Sequence, residues 1–234
     1  MNNIPKITID GIEFDSPKNW SILEAAKFLG IEIPTLCFNE GLSPWGGCRL
    51  CIVEIGEEER ARIVTSCSYI VEDGLVVRTS TQRVVNARRL ITELLLAQCP
   101  ASKILQDLAA KIGLKKVRFK PKFEDCIYCG LCVRMCEEQM MAKAIGFVNR
   151  GNNMKITTPF DKKSDICRRC GGCIYICPAC NLRCEGSQPK DVLCGRCENS
   201  LQPTCLEFYD NYTCWMGLKG DCGTCVREKK EERK

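Results

Sequence analysis

The sequence contains no histidine, and this absence excludes several kinds of site before any motif is considered. Without an imidazole there is no histidine acid–base catalysis, no Rieske-type ligation and no zinc site that contains histidine. The N-terminus lacks a basic segment followed by an apolar one, so we expect no signal peptide. No apolar run approaches about 18 residues, so we expect no membrane span.

Cysteine, by contrast, is abundant, with 21 among 234 residues. Such a density indicates either disulfide bonds or metal sites. The count is odd and the chain is longer than a typical disulfide scaffold, so we expect metal-bound thiolates in a reducing cytoplasm. The formal net charge of +5 does not yet count ligand thiolates, which would lower it. Charge therefore gives little support to a nucleic-acid partner.

Residues 1–83 are predicted to form a small α+β domain. Asp10 and Gly11 are a two-residue hairpin signal between two short strand patterns. Ser21 and Glu24 have the spacing of a capping box, which predicts the start of a helix. The strands and helix expected from these and later patterns are residues 7–9, 12–14, 22–29, 51–55, 62–66 and 75–78.

Residues 84–120 are predicted to form a helical connector. One helix is expected over residues 84–98, and a second over residues 102–112 that ends at Gly113. The basic stretch at residues 115–122 is interpreted as a solvated connector rather than a binding patch. The apolar side chains near helical spacing in the first helix are Val85, Leu90, Ile91, Leu94 and Leu95.

Residues 121–178 contain an internal repeat with the cysteine spacing C-x2-C-x2-C-x3-C. This spacing is typical of bacterial ferredoxins with two [4Fe–4S] clusters, whereas zinc knuckles more often use two C-x2-C pairs. Gly130 and Gly171, each after the second cysteine, give the loop room to wrap a cluster. The fourth cysteine of each motif ligates the other cluster in such folds, which predicts two crossed ligand sets. These sets are Cys126, Cys129, Cys132 and Cys177, and Cys167, Cys170, Cys173 and Cys136.

A separate set of four cysteines lies in the first domain, with the spacing C-x10-C-x2-C-x15-C. Four cysteines on the loops of so small a domain suit a [2Fe–2S] cluster, although the spacing differs from that of plant ferredoxins. Gly46 and Gly47 allow backbone amides to approach the cluster sulfides. A structural zinc site is the alternative. The predicted ligands are Cys37, Cys48, Cys51 and Cys67.

Residues 179–234 are predicted to form a small metal-binding module with a charged tail. Two sequential quartets of cysteines would make two sites, whereas an interleaved zinc ribbon would combine the pair Cys194 and Cys197 with the pair Cys222 and Cys225. One or two zinc ions, or an additional iron–sulfur cluster, are the cofactors we consider, because a bound metal supplies folding energy to a small segment. The eight candidate ligands are Cys180, Cys184, Cys194, Cys197, Cys205, Cys214, Cys222 and Cys225.

A family resemblance covers about residues 4–178. It is carried by the segments TLCFNEGLSPWGGCRLCIVEI, TSCSYIVEDGLVVRTST, AQCPASKILQDLAAKIG and CIYCGLCVRMCEE. They resemble the N-terminal region of the large iron–sulfur subunit of respiratory NADH dehydrogenase, the diaphorase small subunit of bidirectional NAD-linked hydrogenases, and iron-only hydrogenases. The resemblance implies three clusters in a line that exchange electrons with a flavin-bearing subunit that oxidises NADH.

The chain departs from the longer members of this family in two respects. They hold a further cubane with one histidine and three cysteines, but this sequence has only Cys99 in the corresponding stretch. We therefore expect that cluster to be missing and Cys99 to be a small buried apolar residue. The sequence also ends without a hydrogenase active-site domain or a molybdenum-binding domain, which predicts a subunit rather than a complete enzyme.

The expected fold is α+β, with a β-grasp [2Fe–2S] ferredoxin-like domain, a helical connector, a two-cluster bacterial ferredoxin domain and the cysteine-rich C-terminal module. The expected function is electron transfer in a hetero-oligomeric oxidoreductase, such as an NAD-linked or electron-bifurcating hydrogenase or a formate dehydrogenase. Because no Gly-rich phosphate loop follows a strand, we expect flavin and NAD(P) to be bound by a partner subunit. A further catalytic or electron-accepting subunit would complete the path. A free polyferredoxin carrier and a zinc-binding regulatory or scaffold protein are the two alternatives.

Overall fold

The computed structural model describes residues 4–57, 60–122, 124, 126–162, 164–168 and 170–178. The chain divides into two compact units: residues 1–97 together with 107–120, and residues 98–106 together with 121–234. The eight cysteines predicted to bind metal in the C-terminal segment lie outside the described residues. Among the helices of the described residues, none is both long and apolar enough to cross a membrane.

The first unit is built on a five-stranded mixed sheet with the order β2-β1-β5-β3-β4. β1 pairs antiparallel with β2 and parallel with β5, and β3 runs antiparallel to both β4 and β5. The hairpin between β1 and β2 is confirmed, because Asp10 and Gly11 adopt the positive φ angles, 49° and 84°, that a tight hairpin turn requires. The strands are β1 (Lys6–Ile9), β2 (Ile12–Asp15), β3 (Ile52–Ile55), β4 (Arg62–Thr65) and β5 (Val76–Arg78).

The helix α1 (Ile22–Phe28) packs its apolar face against this sheet. The predicted capping box is present: the Ser21 hydroxyl accepts from the Glu24 amide at 3.2 Å, and the Ser21 amide donates to the Glu24 carboxylate at 2.7 Å. Both bonds satisfy donors that would otherwise be unpaired at the helix start. The core between helix and sheet includes Ile7, Ile9, Ile22, Ala25, Ala26, Val53 and Val77.

The connector contains the two expected helices, α2 (Gln82–Gln98) and α3 (Lys103–Lys111). The apolar positions that predicted α2 are nevertheless not its buried face, since Leu90 and Leu94 are 42% and 47% exposed. Polar side chains can lie on the buried face of α2 because they form hydrogen bonds there. Arg88 donates to backbone carbonyls, and Glu93 accepts from Arg118. The buried side chains of α2 are Val84, Arg88, Thr92, Glu93, Leu96 and Ala97.

In the second unit, the two halves of the cysteine repeat adopt the same local structure. A glycine in the left-handed conformation, with φ of 70° in both cases, precedes the short helices α4 (Leu131–Arg134) and α5 (Gly172–Tyr175). A π-helical turn, Met135–Gln139, follows α4. Between the two halves lies an antiparallel hairpin of β6 (Gly146–Val148) and β7 (Lys155–Thr157), which the sequence patterns did not predict.

Candidate iron–sulfur cluster sites

The four cysteines of the first set lie in the first unit, and each is between 1% and 6% exposed. Cys51 directly precedes β3, and Cys67 lies two residues after the end of β4. Ile52 stands opposite Thr65 in the antiparallel register, and the amide of Ser66 donates to the carbonyl of Cys51 at 2.9 Å. The strand pairing therefore brings Cys51 and Cys67 together at one end of this hairpin.

The four thiols of this set interact in two pairs. The Cys37 thiol donates a hydrogen bond to Cys48, which raises the pKa of Cys37 and lowers the pKa of Cys48 to about 6. Cys67 donates to Cys51 in the same way, so that the pKa of Cys67 is raised and the pKa of Cys51 falls to about 7. Two thiol pairs match the two irons of a [2Fe–2S] cluster, which takes four cysteine ligands.

Backbone amides converge on these thiols. The N–H groups of Gly46 and Gly47 donate to the sulfurs of Cys67 and Cys37. Gly46 has a φ of 64°, and a Cβ on Gly47 would lie 2.1 Å from Nε1 of Trp45, so neither position takes a side chain without strain or displacement. Hydrogen bonds to ligand sulfur tune the potential of a cluster. The two glycines thus give amides access to the ligand sulfurs.

A charged side chain of α2 also contacts this ligand loop. Arg88, which is 9% exposed, donates from Nε to the carbonyl of Leu50 at 3.1 Å and from Nη2 to the carbonyl of Ile52 at 2.6 Å. These two carbonyls flank Cys51 in the sequence. Burial lowers the pKa of Arg88 from its ordinary value, while the negative charges of Cys51 and Asp10 act in the opposite direction.

In the second unit, Cys132 is surrounded by sulfurs from both halves of the repeat. Burial raises the pKa of Cys132 well above its ordinary value, and the negative charges of Cys177, Cys129, Cys126 and Cys173 raise it further. Cys177 belongs to the second motif and has the largest charge effect of the four. The four cysteines of the first crossed ligand set therefore lie close enough to interact, and Cys173 of the second set lies among them.

Cys136, the fourth cysteine of the first motif, packs with cysteines of the second motif. It is 8% exposed and lies in an apolar cluster with Cys173 and Cys167. The amide of Ala144 donates to the Cys136 sulfur at 3.2 Å. Cys170 is the exposed member of this second ligand set. The structure therefore places three of its four cysteines in one cluster, against which Cys132 of the first set also packs, and leaves Cys170 at the surface.

The donor chemistry of these sites fits iron–sulfur clusters. All thirteen cysteines in the described part of the chain carry reduced thiols. Within that part, no group of three or more cysteine, aspartate or glutamate side chains is arranged to hold a single metal ion. Burial, and after it the repulsion of neighbouring thiolates, raises the pKa of Cys132, and bound iron would supply the compensating positive charge. Cysteine-only ligation is the usual donor set of both [2Fe–2S] and [4Fe–4S] clusters.

The sheet of the first unit matches a known domain family. Residues 6–82 match the family model of a 2Fe-2S iron-sulfur cluster binding domain. This segment belongs to that family. The 2Fe–2S domain contains the whole first set of cysteines together with Gly46 and Gly47. The α+β ferredoxin-like fold expected for this part of the chain is thereby confirmed.

The chain is also similar to subunits of larger oxidoreductases. It is 33% identical to an NADH-quinone oxidoreductase subunit of Rhizobium meliloti over 85% of this chain and 27% of the relative. It is 33% identical to an NADP-reducing hydrogenase subunit of Solidesulfovibrio fructosivorans over 74% of this chain and 34% of the relative. The resemblance to NADH dehydrogenase and hydrogenase subunits is therefore confirmed, although the chain spans only about a third or less of these relatives.

A solved structure shares the fold over a large part of the chain. A chain of an NAD+-reducing [NiFe]-hydrogenase in the H2-reduced state aligns with a TM-score of 0.59 and 27% sequence identity. The alignment covers 67% of this chain and 75% of the hydrogenase chain. At this level of identity, the likeness supports common ancestry as well as a common fold.

Two contributors to these sites were not singled out from the sequence. Arg88 lies four residues from Val84 and from Thr92 on α2, and all three positions are buried on that helix. This spacing is the signal that could have identified it as an inward-facing arginine. The amide of Ala144 leaves no such signal, because any residue except proline supplies a backbone N–H.

Proposed function

We propose that this chain is an electron-transfer subunit, which relays single electrons between a flavin- and NAD(P)-binding partner and another redox subunit of an oxidoreductase complex. The observation that carries this proposal is its 33–34% identity, over 74% to 85% of its length, to subunits of NADH-quinone oxidoreductase, NADP-reducing hydrogenase and NADPH-Fe(3+) oxidoreductase. The last of these is the alpha subunit from Geobacter sulfurreducens. All three names describe a subunit of an enzyme linked to NADH or NADPH.

Three iron–sulfur clusters are assigned to the cysteines of residues 1–178. A [2Fe–2S] cluster would be held by the first set, and two [4Fe–4S] clusters by the crossed sets of a ferredoxin domain at residues 121–178. When bound, such clusters supply reversible one-electron chemistry. The C-terminal module would add zinc or a further cluster. The ligand sets are Cys37, Cys48, Cys51 and Cys67; Cys126, Cys129, Cys132 and Cys177; and Cys136, Cys167, Cys170 and Cys173.

The residues of the chain contribute ligands, burial and hydrogen bonds rather than acid–base chemistry. The core of the 2Fe–2S domain keeps its four ligand cysteines at 6% exposure or less, which excludes water from the ligand sulfurs. The amides of Gly46 and Gly47 stabilise negative charge on the sulfurs of Cys67 and Cys37. Reduced thiols of this kind suit a reducing cytoplasm, where we place the protein.

The test is to purify the tagged full-length chain anaerobically from its source and to measure flavin, iron and reduction by NADH and NADPH. We expect a complex that contains flavin and whose visible absorbance is bleached by one of the two nucleotides. A double variant, Cys51→Ser with Cys67→Ser, is the matched control, because it should keep the complex and lose the [2Fe–2S] EPR signal.

Two results would contradict the proposal. An isolated iron-loaded chain that dithionite reduces, but that neither nucleotide reduces in cell extract, would indicate a free carrier. A chain that contains zinc and no iron would indicate a regulatory or scaffold protein.

A further inference from the structure

Arg88 is a buried cation without an ordinary counterion. A buried guanidinium is normally paired with a carboxylate, because the loss of hydration is costly. Among the described residues, no carboxylate lies within ion-pair distance of Arg88. Its Nε and Nη2 instead donate to the carbonyls of Leu50 and Ile52. Hydrogen bonds to these neutral carbonyls replace part of the lost hydration of the guanidinium, but they do not neutralise its positive charge.

The negative group with the strongest effect on Arg88 is a predicted cluster ligand. The charge of Cys51 favours the protonated guanidinium more than the charge of Asp10 does. Cys51 lies between the two residues whose carbonyls Arg88 binds. The same side chain therefore contacts the backbone on both sides of a predicted ligand and carries a positive charge that interacts with the charge of that ligand.

An arginine can both hold the two carbonyls and supply a positive charge, because of the shape and the charge of its side chain. The guanidinium is planar, presents several donors in a fixed fork and stays protonated in proteins. The donors at 3.1 Å and 2.6 Å hold the carbonyls of two residues that are separated only by Cys51. Rotation of either peptide would break one of these bonds, so the fork restricts the backbone that carries the ligand.

We propose that Arg88 is a positioning residue of the [2Fe–2S] site: it fixes the backbone on both sides of Cys51 and raises the reduction potential of the bound cluster. This proposal rests on the assignment of a [2Fe–2S] cluster to the first set of cysteines. Reduction adds one negative charge to a site that four thiolates already make negative. A fixed positive charge nearby stabilises the reduced form more than the oxidised form, and burial limits the screening of this effect.

Three variants of the full chain separate the two roles. Arg88→Gln removes the charge and keeps a donor, whereas Arg88→Lys keeps the charge and loses the fork. Arg89→Gln is the matched control, because Arg89 is the next residue on α2, is exposed and donates to the carbonyl of Ile112 at 3.1 Å. For each protein, the [2Fe–2S] signal is titrated by EPR against potential, and the loss of that signal to a chelator is timed.

The Arg88→Gln variant should have a lower midpoint potential. At the wild-type midpoint, its ratio of reduced to oxidised cluster should fall about tenfold, which corresponds to about 59 mV for one electron. Arg88→Lys should stay close to the wild-type potential and lose its cluster faster, because an ammonium group cannot hold both carbonyls in a fixed plane. Arg89→Gln should match the wild type in both measurements.

The proposal is overturned if Arg88→Gln and Arg89→Gln have the same potential, or if Arg88→Gln and Arg88→Lys shift it equally. If Arg88→Gln assembles no cluster, the lysine variant decides. A cluster near the wild-type potential in Arg88→Lys supports the proposal, whereas a lower potential or a folded chain without this cluster overturns it. Unfolding of both Arg88 variants, seen by far-UV circular dichroism, would overturn it, since Arg88 would then serve the fold. A missing [2Fe–2S] signal in the wild type overturns the cluster assignment as well, whereas a normal wild-type signal with an unshifted Arg88→Gln overturns this inference alone.

Discussion

Burial alone does not separate the predicted ligand cysteines from Cys99, the remaining described cysteine. Cys99 is 2% exposed, and Cys67, a predicted ligand, is 1% exposed. Cys67 also donates to another thiol, and Cys132 lies among the charges of four other cysteines. At the scale of the residue, the exposed fraction of a cysteine therefore does not by itself identify a ligand, because a small apolar side chain is buried as deeply.

The crossed ligand sets can be tested one cysteine at a time. Cys177→Ser and Cys132→Ser should weaken the same [4Fe–4S] EPR signal and each remove up to about four irons per chain, because both residues are assigned to one cluster. Cys136→Ser should weaken the other signal, and Cys99→Ser, the matched control, should leave iron content unchanged. If Cys177→Ser and Cys136→Ser weaken the same signal, the crossing is wrong.

Gly171 has a backbone conformation that disfavours any residue with a side chain. Its φ is 70°, and a Cβ at this position would have nothing within 4 Å. Gly171→Ala should therefore destabilise the loop by about 1–2 kcal/mol through left-handed strain, and Gly171→Asn by less. Faster loss of [4Fe–4S] absorbance to a chelator is the measurement. The control is Gly146→Ala, which has equal space and no positive φ; equal effects of the two alanine variants would contradict the strain argument.

At the scale of the element, α2 shows why periodicity predicted the helix but not its buried face. Apolar side chains at helical spacing favour a helix whichever face is later covered. The structure buries Arg88 and Glu93, whose polar atoms bind partners that are far away in the sequence. Such long-range pairing leaves no local pattern. The β6–β7 hairpin was not predicted for another reason: its strands have only three residues each, which is too short for an alternating pattern to be recognised.

The basic stretch after α3 is attached to α2 by an ion pair. Arg118 donates to the carboxylate of Glu93 through its side chain at 2.8 Å, and its backbone amide also donates to Glu93. The Glu93 side chain is only 3% exposed, whereas that of Arg118 is 66% exposed. The sequence interpretation of this stretch as solvated agrees with its exposure in the structure, but it did not predict the ion pair between Arg118 and Glu93.

The ion pair predicts how stability depends on pH. The hydrogen bond from Arg118 lowers the pKa of Glu93 in the folded chain. The contribution of this ion pair to the free energy of unfolding should be complete above the pKa of glutamate in the unfolded chain, about 4.3. It should be lost as the pH falls through the lower pKa of Glu93 in the folded chain. Glu93→Gln should lower the melting temperature at pH 7, and the difference from the wild type should shrink below about pH 4.3.

The difference between the two proteins isolates Glu93, because acid-induced cluster loss affects both. Melting curves by circular dichroism from pH 7 to pH 3 are the measurement. A difference in melting temperature that does not change with pH would show that the ionised carboxylate of Glu93 is not the cause of the stabilisation. Lys111→Gln is a suitable control, because the ion pair of Lys111 with Glu32 is largely exposed, and an exposed pair contributes little.

At the scale of the whole molecule, the cysteine spacings carried most of the prediction. Three ligands of each [4Fe–4S] set lie within seven residues, so the sequence alone brings them close. The approach of the two halves of the repeat, with Cys177 and Cys173 near Cys132, and Cys173 near Cys136, depends on folding, and the crossed grouping of these cysteines stays a prediction from the repeat pattern. The partners of the complex have no such local signature, and they are proposed from relatives that are several times longer than this chain.

The most direct test of the account is the iron, acid-labile sulfide and zinc content of the full-length chain, purified anaerobically, with EPR of the reduced protein. The account predicts about ten iron atoms per chain in the three clusters, with the C-terminal cysteines adding either zinc or about four more irons. It also predicts one [2Fe–2S] signal and two [4Fe–4S] signals. Iron close to zero, with zinc in its place, would contradict electron transfer as the function of this protein.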